Sequence, residues 1–353
     1  MNIIQKEKII LIVTDGGDYS IKEVSEWLFF YSKKYNYRTL VLDTSFDSLR
    51  VVNGSIDSST DITFKIVSTK TVFQLSSIQS IYIRQASIPI DGHYGINSNS
   101  GKASNINARY ANYLMAYENT IRWLILNCFS KVNIIGFDSG GFINKLEVLK
   151  HAAEIGLTIP ETIVTTLKKD LIKFKRNHKS IIVKSLGLGL AFNDLKAKKS
   201  YQQFTSEILD EDLKLIPDSF NLSMIQKRID KKFEVRTFYL DGRSYSWALL
   251  SQNNSKTKVD YRKYDWSNPM RVVAFKLPKH VENSLKTLME KLELRSGSID
   301  FMYSTDGQYF FLEVNPAGQF GYNSQCSNYN LELEIANSLI NKNEQKKHRT
   351  FHS

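Results

Sequence analysis

The chain has 353 residues, enough for two or three domains rather than one ordinary core. Its composition, 42% apolar and 24% charged, is that of a soluble globular protein, and no run approaches the roughly 20 apolar residues that a membrane span needs. The two cysteines, Cys128 and Cys326, exclude a disulfide framework and favour a cytoplasmic location. The six histidines lack the spacing of zinc ligands, which argues against a zinc site.

The net charge of +11 is concentrated in two segments. Residues 163–200 hold ten Lys/Arg against two acids, a net charge of +8, and residues 342–353 hold four against one, a net charge of +3. One interpretation is a solvated face together with a disordered basic tail at 343–353. The other is a groove for an anionic partner, such as nucleotide phosphates, an acidic peptide or nucleic acid. Charge alone leaves both open.

The first 137 residues alternate between strand-like and helix-like patterns, which predicts an α/β unit with a mostly parallel sheet. No G-x-G-x-x-G follows the first strand, so a dinucleotide-binding fold is disfavoured. Residues 86–107 are rich in Asn, Ser and Gly and predict a long loop. The apolar patterns predict strands at 8–14, 38–43, 80–84 and 131–135, and helices at 21–34 and 111–128.

A smaller central unit is predicted between residues 138 and 217. Asn144 can cap a helix over Lys145–Glu154, which Gly156 ends. A strand at Ser180–Lys184 is followed by a Gly-Leu-Gly turn at 187–189. The remaining unit, 218–342, contains strand-like runs at 223–229 and 233–240, a hairpin at 298–315 and a closing helix at 330–340.

The hairpin carries the most chemical information. Asp306-Gly307 between two β-prone runs predicts a two-residue turn, which makes the numbers of facing residues sum to 613. One face of the hairpin is then apolar, as a core-facing surface requires. The apolar pairs in this register are Ile299 with Val314, Phe301 with Leu312, and Tyr303 with Phe310.

On the opposite face, Asp300 lies across from Glu313, and Asn315 points the same way two residues later. Like charges that face each other destabilise a ladder, so a hard cation would explain this grouping. Mg²⁺ bound by one or two carboxylates and by substrate phosphates is the usual arrangement. The alternative is a solvent-exposed sheet face on which the acids splay apart. Pro316 and the glycines Gly318 and Gly321 extend the pattern into a binding loop.

The run Phe-Leu-Glu313-Val-Asn315-Pro316, taken with Asp300, resembles the metal-binding signature of the ATP-grasp superfamily. The continuation Ala-Gly-Gln-Phe at 317–320 resembles the peptide-modifying ligases of the microviridin and graspetide type, most closely the maturases of grasp-with-spasm systems. The resemblance implies an ATP-grasp fold, α/β with an α+β C-terminal part, and a homodimer. It divides the chain into a pre-ATP-grasp α/β domain at 1–137, a small central domain at 138–217 and a C-terminal domain at 218–342. It also implies ATP and Mg²⁺ as cofactors, with Asp300, Glu313 and Asn315 as metal ligands.

Further positions follow from the same resemblance. Lys145 and Lys184 match the two lysines that hold ATP phosphates, a role that suits a point-charge ammonium. Either could instead be a surface lysine. Residues 224–229, among them Gln226, Arg228 and Ile229, resemble the strand whose backbone contacts adenine.

Glu234 matches the acid that holds the ribose hydroxyls, and Arg236 and Arg271 match the arginines that bind the γ-phosphate and the acyl phosphate. Glu234 and Arg236 could alternatively pair with their neighbours, since both lie on one strand.

The resemblance implies an ADP-forming ligase that activates Asp or Glu side chains of a ribosomal precursor peptide, with a leader and a Thr/Asp/Glu-rich core, and closes ester or amide rings. A ligase that adds an amino acid to a small molecule or a protein terminus is the enzymatic alternative. A basic nucleic-acid-binding protein is the non-catalytic alternative, but it leaves the Asp300, Glu313 and Asn315 cluster unexplained. We also expect the basic segment at 163–200 to help recruit an acidic peptide.

Overall fold

The computed structural model describes residues 7–55, 61–88, 108–138, 143–187, 191–194, 199–202, 205–251 and 271–341. The predicted disordered tail at 343–353 and most of the predicted loop at 86–107 lie outside these ranges, as do residues 188 and 189 of the predicted glycine turn. No helix among the described residues is both long and apolar enough to cross a membrane.

A four-stranded, fully parallel sheet with strand order β2-β1-β6-β7 forms the first part of the chain, as predicted. A second sheet of three short antiparallel strands, β3-β4-β5, was not predicted, because its strands of three to five residues give no extended alternation. The elements are β1 (Lys8–Thr14), α1 (Ser20–Tyr35), β2 (Tyr37–Asp43), β3 (Leu49–Asn53), β4 (Thr63–Ile66), β5 (Val72–Gln74), a 3₁₀ turn (Leu75–Ser77), β6 (Ile78–Arg84), α2 (Ala108–Phe129) and β7 (Asn133–Gly136).

The first strand is buried on both faces, as expected of a strand in a covered parallel sheet. Ile10 and Ile12 pack with α1 and with the last helix of the chain, whereas Leu11 and Val13 pack with the small antiparallel sheet and α2. Because side chains alternate along a strand, one apolar run supplies both cores.

The central part is an antiparallel sheet with strand order β12-β9-β13-β8, accompanied by the two-stranded sheet β10-β11. Residues 219–227, which follow the expected boundary at 217, lie in this sheet between β8 and β9. The elements are α3 (Lys145–Glu154), β8 (Thr162–Leu167), α4 (Lys168–Asn177), β9 (Ile181–Lys184), β10 (Ala191–Asp194), β11 (Lys199–Gln202), β12 (Ser206–Glu207), α5 (Asp212–Leu215) and β13 (Ser219–Lys227).

The last part is a five-stranded antiparallel sheet with strand order β16-β15-β14-β17-β18. A core that includes Phe238 and Trp247 of this sheet also contains residues of β1, β6 and the final helix, so it joins the first and last parts of the chain. The elements are β14 (Lys231–Leu240), β15 (Arg243–Leu250), β16 (Arg271–Phe275), α6 (Lys279–Lys291), β17 (Ser296–Ser304), β18 (Tyr309–Asn315), α7 (Gly321–Ser327) and α8 (Leu331–Ile340).

The predicted two-residue turn of the β17–β18 hairpin is wrong. The Ser304 amide donates to the carbonyl of Gln308 at 2.9 Å, which leaves a three-residue loop, 305–307, with Gly307 in the left-handed region at φ 86°. The pairs nearest the turn therefore shift by one residue, so that Phe301 faces Phe311.

A bulge restores the predicted register further along the hairpin. Between Asp300 and Phe301 the facing strand advances by two residues, which makes Leu312 the extra residue. Asp300 consequently faces Glu313 as predicted. The register error at the turn and the bulge cancel before the carboxylates are reached.

Candidate functional site

Two neighbouring carboxylates stand at the middle of the hairpin. Asp300 and Glu313 are direct cross-strand neighbours whose side chains are partly exposed. An Arg236 guanidinium nitrogen lies 3.4 Å from Asp300 Oδ1, and Lys145 Nζ lies 3.6 Å from Glu313 Oε2. The repulsion between the two acids is thus offset by one cation on each side.

Helix α3 positions Lys145. Asn144 caps this helix, accepting hydrogen bonds from the amides of Leu146 and Glu147, as predicted. Val148 and Leu149 anchor the helix in a core that also contains the apolar face of the hairpin. Packing of α3 against the hairpin therefore brings the first residue of the helix to the carboxylates.

A cavity of about 300 Å³ extends from these carboxylates to the central sheet. Its walls come from β9, β13 and the segment that connects β13 to β14, on one side, and from β14, β17 and β18 on the other. Eight of the eleven predicted site residues line it: Lys184, Gln226, Arg228, Ile229, Glu234, Arg236, Asp300 and Glu313.

Gln226 offers an acceptor to a ligand in this cavity. Its side chain is buried, its amide nitrogen donates to Thr162 Oγ1 at 3.0 Å, and its Oε1 has no hydrogen-bond partner among the described residues. A buried carbonyl oxygen without a partner costs free energy, so a donor such as an exocyclic amine would be bound favourably there.

Arg228 is held by the protein itself. Its guanidinium donates to Glu207 at 2.7 Å, and its backbone amide donates to the carbonyl of Ser180 at 3.0 Å. That amide is therefore committed to the central sheet, and a backbone contact to a base from this segment needs another residue.

Glu234 forms a buried ion pair with Lys231, which also lines the cavity. The two residues are three apart at the start of β14, and both side chains are almost completely shielded from solvent. The alternative, in which Glu234 pairs with a neighbour, is therefore what the structure shows. A carboxylate already fixed by a lysine presents a rigid acceptor edge to the cavity.

Asn315 and Arg271 occupy other positions. Asn315 faces Ser298 across the hairpin, and its Oδ1 accepts from the amide of Ala317 at 3.1 Å. Arg271 is exposed at the start of β16, opposite Leu250, and the walls of the two cavities described here do not include it.

A second cavity, of about 800 Å³, adjoins the first, and Arg236 and Leu249 line both. Its other walls come from the segment after β1, from Gln85 after β6, from Asn315 and the segment 317–325, and from Glu332 of α8. The carboxyl ends of the parallel strands thus face the loop that follows the hairpin, the edge at which open α/β sheets bind ligands.

Arg84 fastens this loop to the parallel sheet. Its guanidinium forms a buried ion pair with Asp18 at 2.5 Å and donates to the carbonyls of Ala317 and Gly318 at 3.2 and 2.9 Å. The pKa of Asp18 is lowered although burial opposes this, because Ser20 and Arg84 donate hydrogen bonds to the carboxylate and Arg84 adds its charge. Arg84 and Asp18 were not predicted, although each charged residue follows or ends a buried strand.

Gly318 allows the loop to close. A Cβ atom at this position would lie 2.4 Å from Ser298 Cβ and 3.1 Å from the carbonyl oxygen of Asn315, so a larger residue would displace the loop from the hairpin.

The oxygen ligands near Asp300 fit a hard cation. The two carboxylates and the nearby Asn315 amide supply oxygen ligands of the kind that Mg²⁺ takes. Within the described residues no group of three or more His, Cys, Asp or Glu is arranged to hold a metal, so the remaining ligands would have to be amide oxygens, phosphates or water.

The basic segment at 163–200 is only partly described. Lys169, Lys173 and Arg176 of α4 are exposed, whereas Lys184 faces the first cavity. Lys196 and Lys198 lie outside the described residues.

Comparison with solved structures identifies the fold. The chain superposes on a Chryseobacterium gregarium RiPP-associated ATP-grasp ligase, solved with ADP and a leader and core peptide, with a TM-score of 0.71, 22% identity and coverage of 94% of this chain and 95% of that one. It superposes on the macrocyclase MdnC of Microcystis aeruginosa, bound to precursor peptide MdnA, with a TM-score of 0.70, 22% identity and coverage of 95% and 100%.

A third neighbour is the ATP-grasp ligase PsnB, solved with a minimal precursor, Mg and ADP, with a TM-score of 0.66, 16% identity and coverage of 94% and 96%. Comparison with protein-family models finds no match, and neither does comparison with curated protein sequences. The chain has the ATP-grasp fold over nearly its whole length, as the sequence predicted.

Proposed function

We propose that this protein is an ADP-forming ATP-grasp ligase that activates Asp or Glu side chains of a ribosomal precursor peptide and closes ester or amide rings within it. The observation that carries the proposal is the pair Asp300 and Glu313 in the wall of the first cavity, flanked by Lys145 and by Arg236, which also lines the second cavity. The three neighbours described above are ligases or macrocyclases solved with precursor peptides, which supports a peptide substrate.

The first cavity would hold ATP. The partnerless Gln226 oxygen can accept a hydrogen bond from the adenine amine, Glu234 can accept from the ribose hydroxyls, and Lys184 and Lys145 are cations for the phosphates. Asp300, Glu313 and Asn315 would hold Mg²⁺, which supplies charge neutralisation at the phosphates when it is bound.

The second cavity would hold the peptide. Arg236 lines both cavities, so it is placed to stabilise the charge that develops as a peptide carboxylate attacks the γ-phosphate. Attack of a second side chain on the acyl phosphate then releases inorganic phosphate and forms the ring. We further propose that Arg271 assists at the acyl phosphate, and that the protein acts in the cytoplasm as a homodimer.

The decisive experiment combines the protein with ATP, Mg²⁺ and a Thr- and Asp/Glu-rich precursor peptide identified among the products of the neighbouring genes. We expect the peptide to lose one water for each ring, and one ATP to be converted to ADP and phosphate for each water lost. ATP consumption that requires a free amino acid, with no change in any peptide, would instead favour the ligase that extends a small molecule or a protein terminus.

Removing Lys184 should weaken nucleotide binding. We expect Lys184→Ala to reduce the affinity for ATP by about 1.5–3 kcal/mol, the scale of a hydrogen bond to a charged group. Titration calorimetry measures this change directly. Lys179→Ala removes the same charge from an exposed position just before β9 and should bind ATP normally. Equal affinities for the two variants would remove Lys184 from the nucleotide site.

A further inference from the structure

Glu332 is a buried acid that uses only one of its two carboxylate oxygens in hydrogen bonds to the described residues. It lies in the first turn of α8, is only 4% exposed and lines the second cavity. Its Oε2 accepts a hydrogen bond from Ser324 Oγ at 2.9 Å, and that hydroxyl in turn accepts from the amide of Leu331 at 3.0 Å. Oε1 has no hydrogen-bond partner among the described residues. The carboxyl is thus fixed through one oxygen while the other is left for a donor from outside the protein.

The surroundings favour a proton on this carboxyl. Burial raises the pKa of Glu332, although hydrogen bonds from its own backbone amide and from Ser324 oppose this, and the negative charges of Glu23 on α1 and Asp18 after β1 raise it further. Tyr82 faces the same group from β6, while the nearby Arg84 is paired with Asp18. A carboxyl held in this way is a stronger base than one in water, which favours proton transfer to it.

The position of Glu332 matches a part of the reaction for which no group has yet been assigned. The second cavity runs from Arg236 and Asn315, beside the carboxylates, to Glu332 on α8. A peptide carboxylate activated at the Arg236 end would be attacked by a nucleophile that reaches it through this cavity.

We propose, on the premise of the ligase function above, that Glu332 accepts the proton of the hydroxyl that attacks the activated carboxylate. The hydroxyl oxygen forms a bond to the carbonyl carbon, the bond from that carbon to the phosphate oxygen breaks, and phosphate leaves. The hydroxyl proton passes to Glu332. The product is an ester, and no oxidant or reductant is needed.

A hydroxyl fits this site better than an ammonium. Glu332 is shielded from solvent, and a neutral hydroxyl enters such a site at a lower desolvation cost than a cation does. An alcohol also gains more from a base, because it loses its proton only as it attacks. On this proposal the nucleophiles are Thr or Ser side chains of the peptide.

Hydroxylamine separates the two chemical steps. It captures an acyl phosphate as a hydroxamate and needs no base, so it reports activation alone. We expect Glu332→Gln to form the hydroxamate on the precursor peptide at the wild-type rate while its rate of ring formation falls by about 10²–10⁴-fold, the usual contribution of a general base. Glu332→Asp should recover part of the ring formation.

Glu334→Gln is the matched control. Glu334 lies in the same helical turn, but it pairs with Arg243 at 2.8 Å and does not line the second cavity, so both steps should proceed normally. Wild-type ring formation by Glu332→Gln would overturn the proposal, and so would loss of the hydroxamate together with the rings. Rings that join Lys rather than Thr or Ser would overturn the choice of nucleophile. A wild-type enzyme that forms no hydroxamate would instead refute the ligase function itself.

Stability provides a test on the protein alone. A carboxyl whose folded pKa is raised stabilises the fold below its ordinary pKa of 4.5, and this contribution is lost as the pH rises through the raised value. Glu332→Gln removes the titration, so the variant should gain stability relative to wild type as the pH rises above 4.5. A stability difference that stays constant with pH would show that Glu332 is not the buried titrating base.

Discussion

Glu313→Gln is expected to leave the protein folded and to abolish turnover. The substitution removes one of the two facing negative charges and keeps the shape of the side chain. The repulsion with Asp300 is therefore reduced, and the pairing of the two strands is kept. The contact to Lys145, at 3.6 Å between partly exposed side chains, contributes about 0–1 kcal/mol. Loss of a charge that supports phosphoryl transfer should lower the rate by about 10²–10³-fold or more.

Phosphate release in the presence of peptide measures this effect, and circular dichroism reports the fold. Asp306→Asn provides the control, because it neutralises an exposed acid in the turn of the same hairpin. Near-normal ATP consumption by Glu313→Gln would show that the carboxylate pair does not hold the metal.

Glu234→Gln is expected to destabilise the protein by about 3–5 kcal/mol, since it leaves the buried Lys231 ammonium without its partner charge. The double variant Lys231→Met, Glu234→Leu should recover most of this loss, because it removes both buried charges together. Denaturant unfolding measures the free energy of both proteins.

The pair Lys279–Glu282 has the same three-residue spacing and an N···O distance of 3.2 Å, but its lysine is 82% exposed. Removing Glu282 should therefore cost less than about 1 kcal/mol. If Glu234→Gln and Glu282→Gln destabilise the protein equally, the burial of the Lys231–Glu234 pair has no measurable effect on stability, which would contradict the prediction.

The sequence was most informative where the chemistry is local. Asn144 as a cap and the strands of the parallel sheet follow from short-range patterns. The predicted pairing of Asp300 with Glu313 is also observed, but only because the bulge compensates for the error at the turn. The three-residue turn and the bulge at Leu312 could not be read in the same way. Both depend on how the hairpin twists against the rest of the sheet. One extra residue in the turn and one in the bulge compensate for each other, so the alternation of apolar and polar residues further along the strands is unchanged.

The contacts that build the second cavity could not be predicted from the sequence, for a different reason. Arg84 and the carbonyl of Gly318 are more than two hundred residues apart in the sequence. One signal was nevertheless available. Asp18 and Arg84 follow or end neighbouring parallel strands, whose carboxyl ends meet at the same edge of the sheet.

The origin of the cavity walls has an evolutionary consequence. All lining residues of the first cavity come from position 160 onward, whereas the second also draws on residues 17–23 and Gln85. Under the proposed function, substitutions in residues 17–23 and at Gln85 can therefore reshape the peptide cavity while every residue that lines the ATP cavity stays unchanged. Such an arrangement would let related proteins change their substrate while keeping the same nucleotide-binding site.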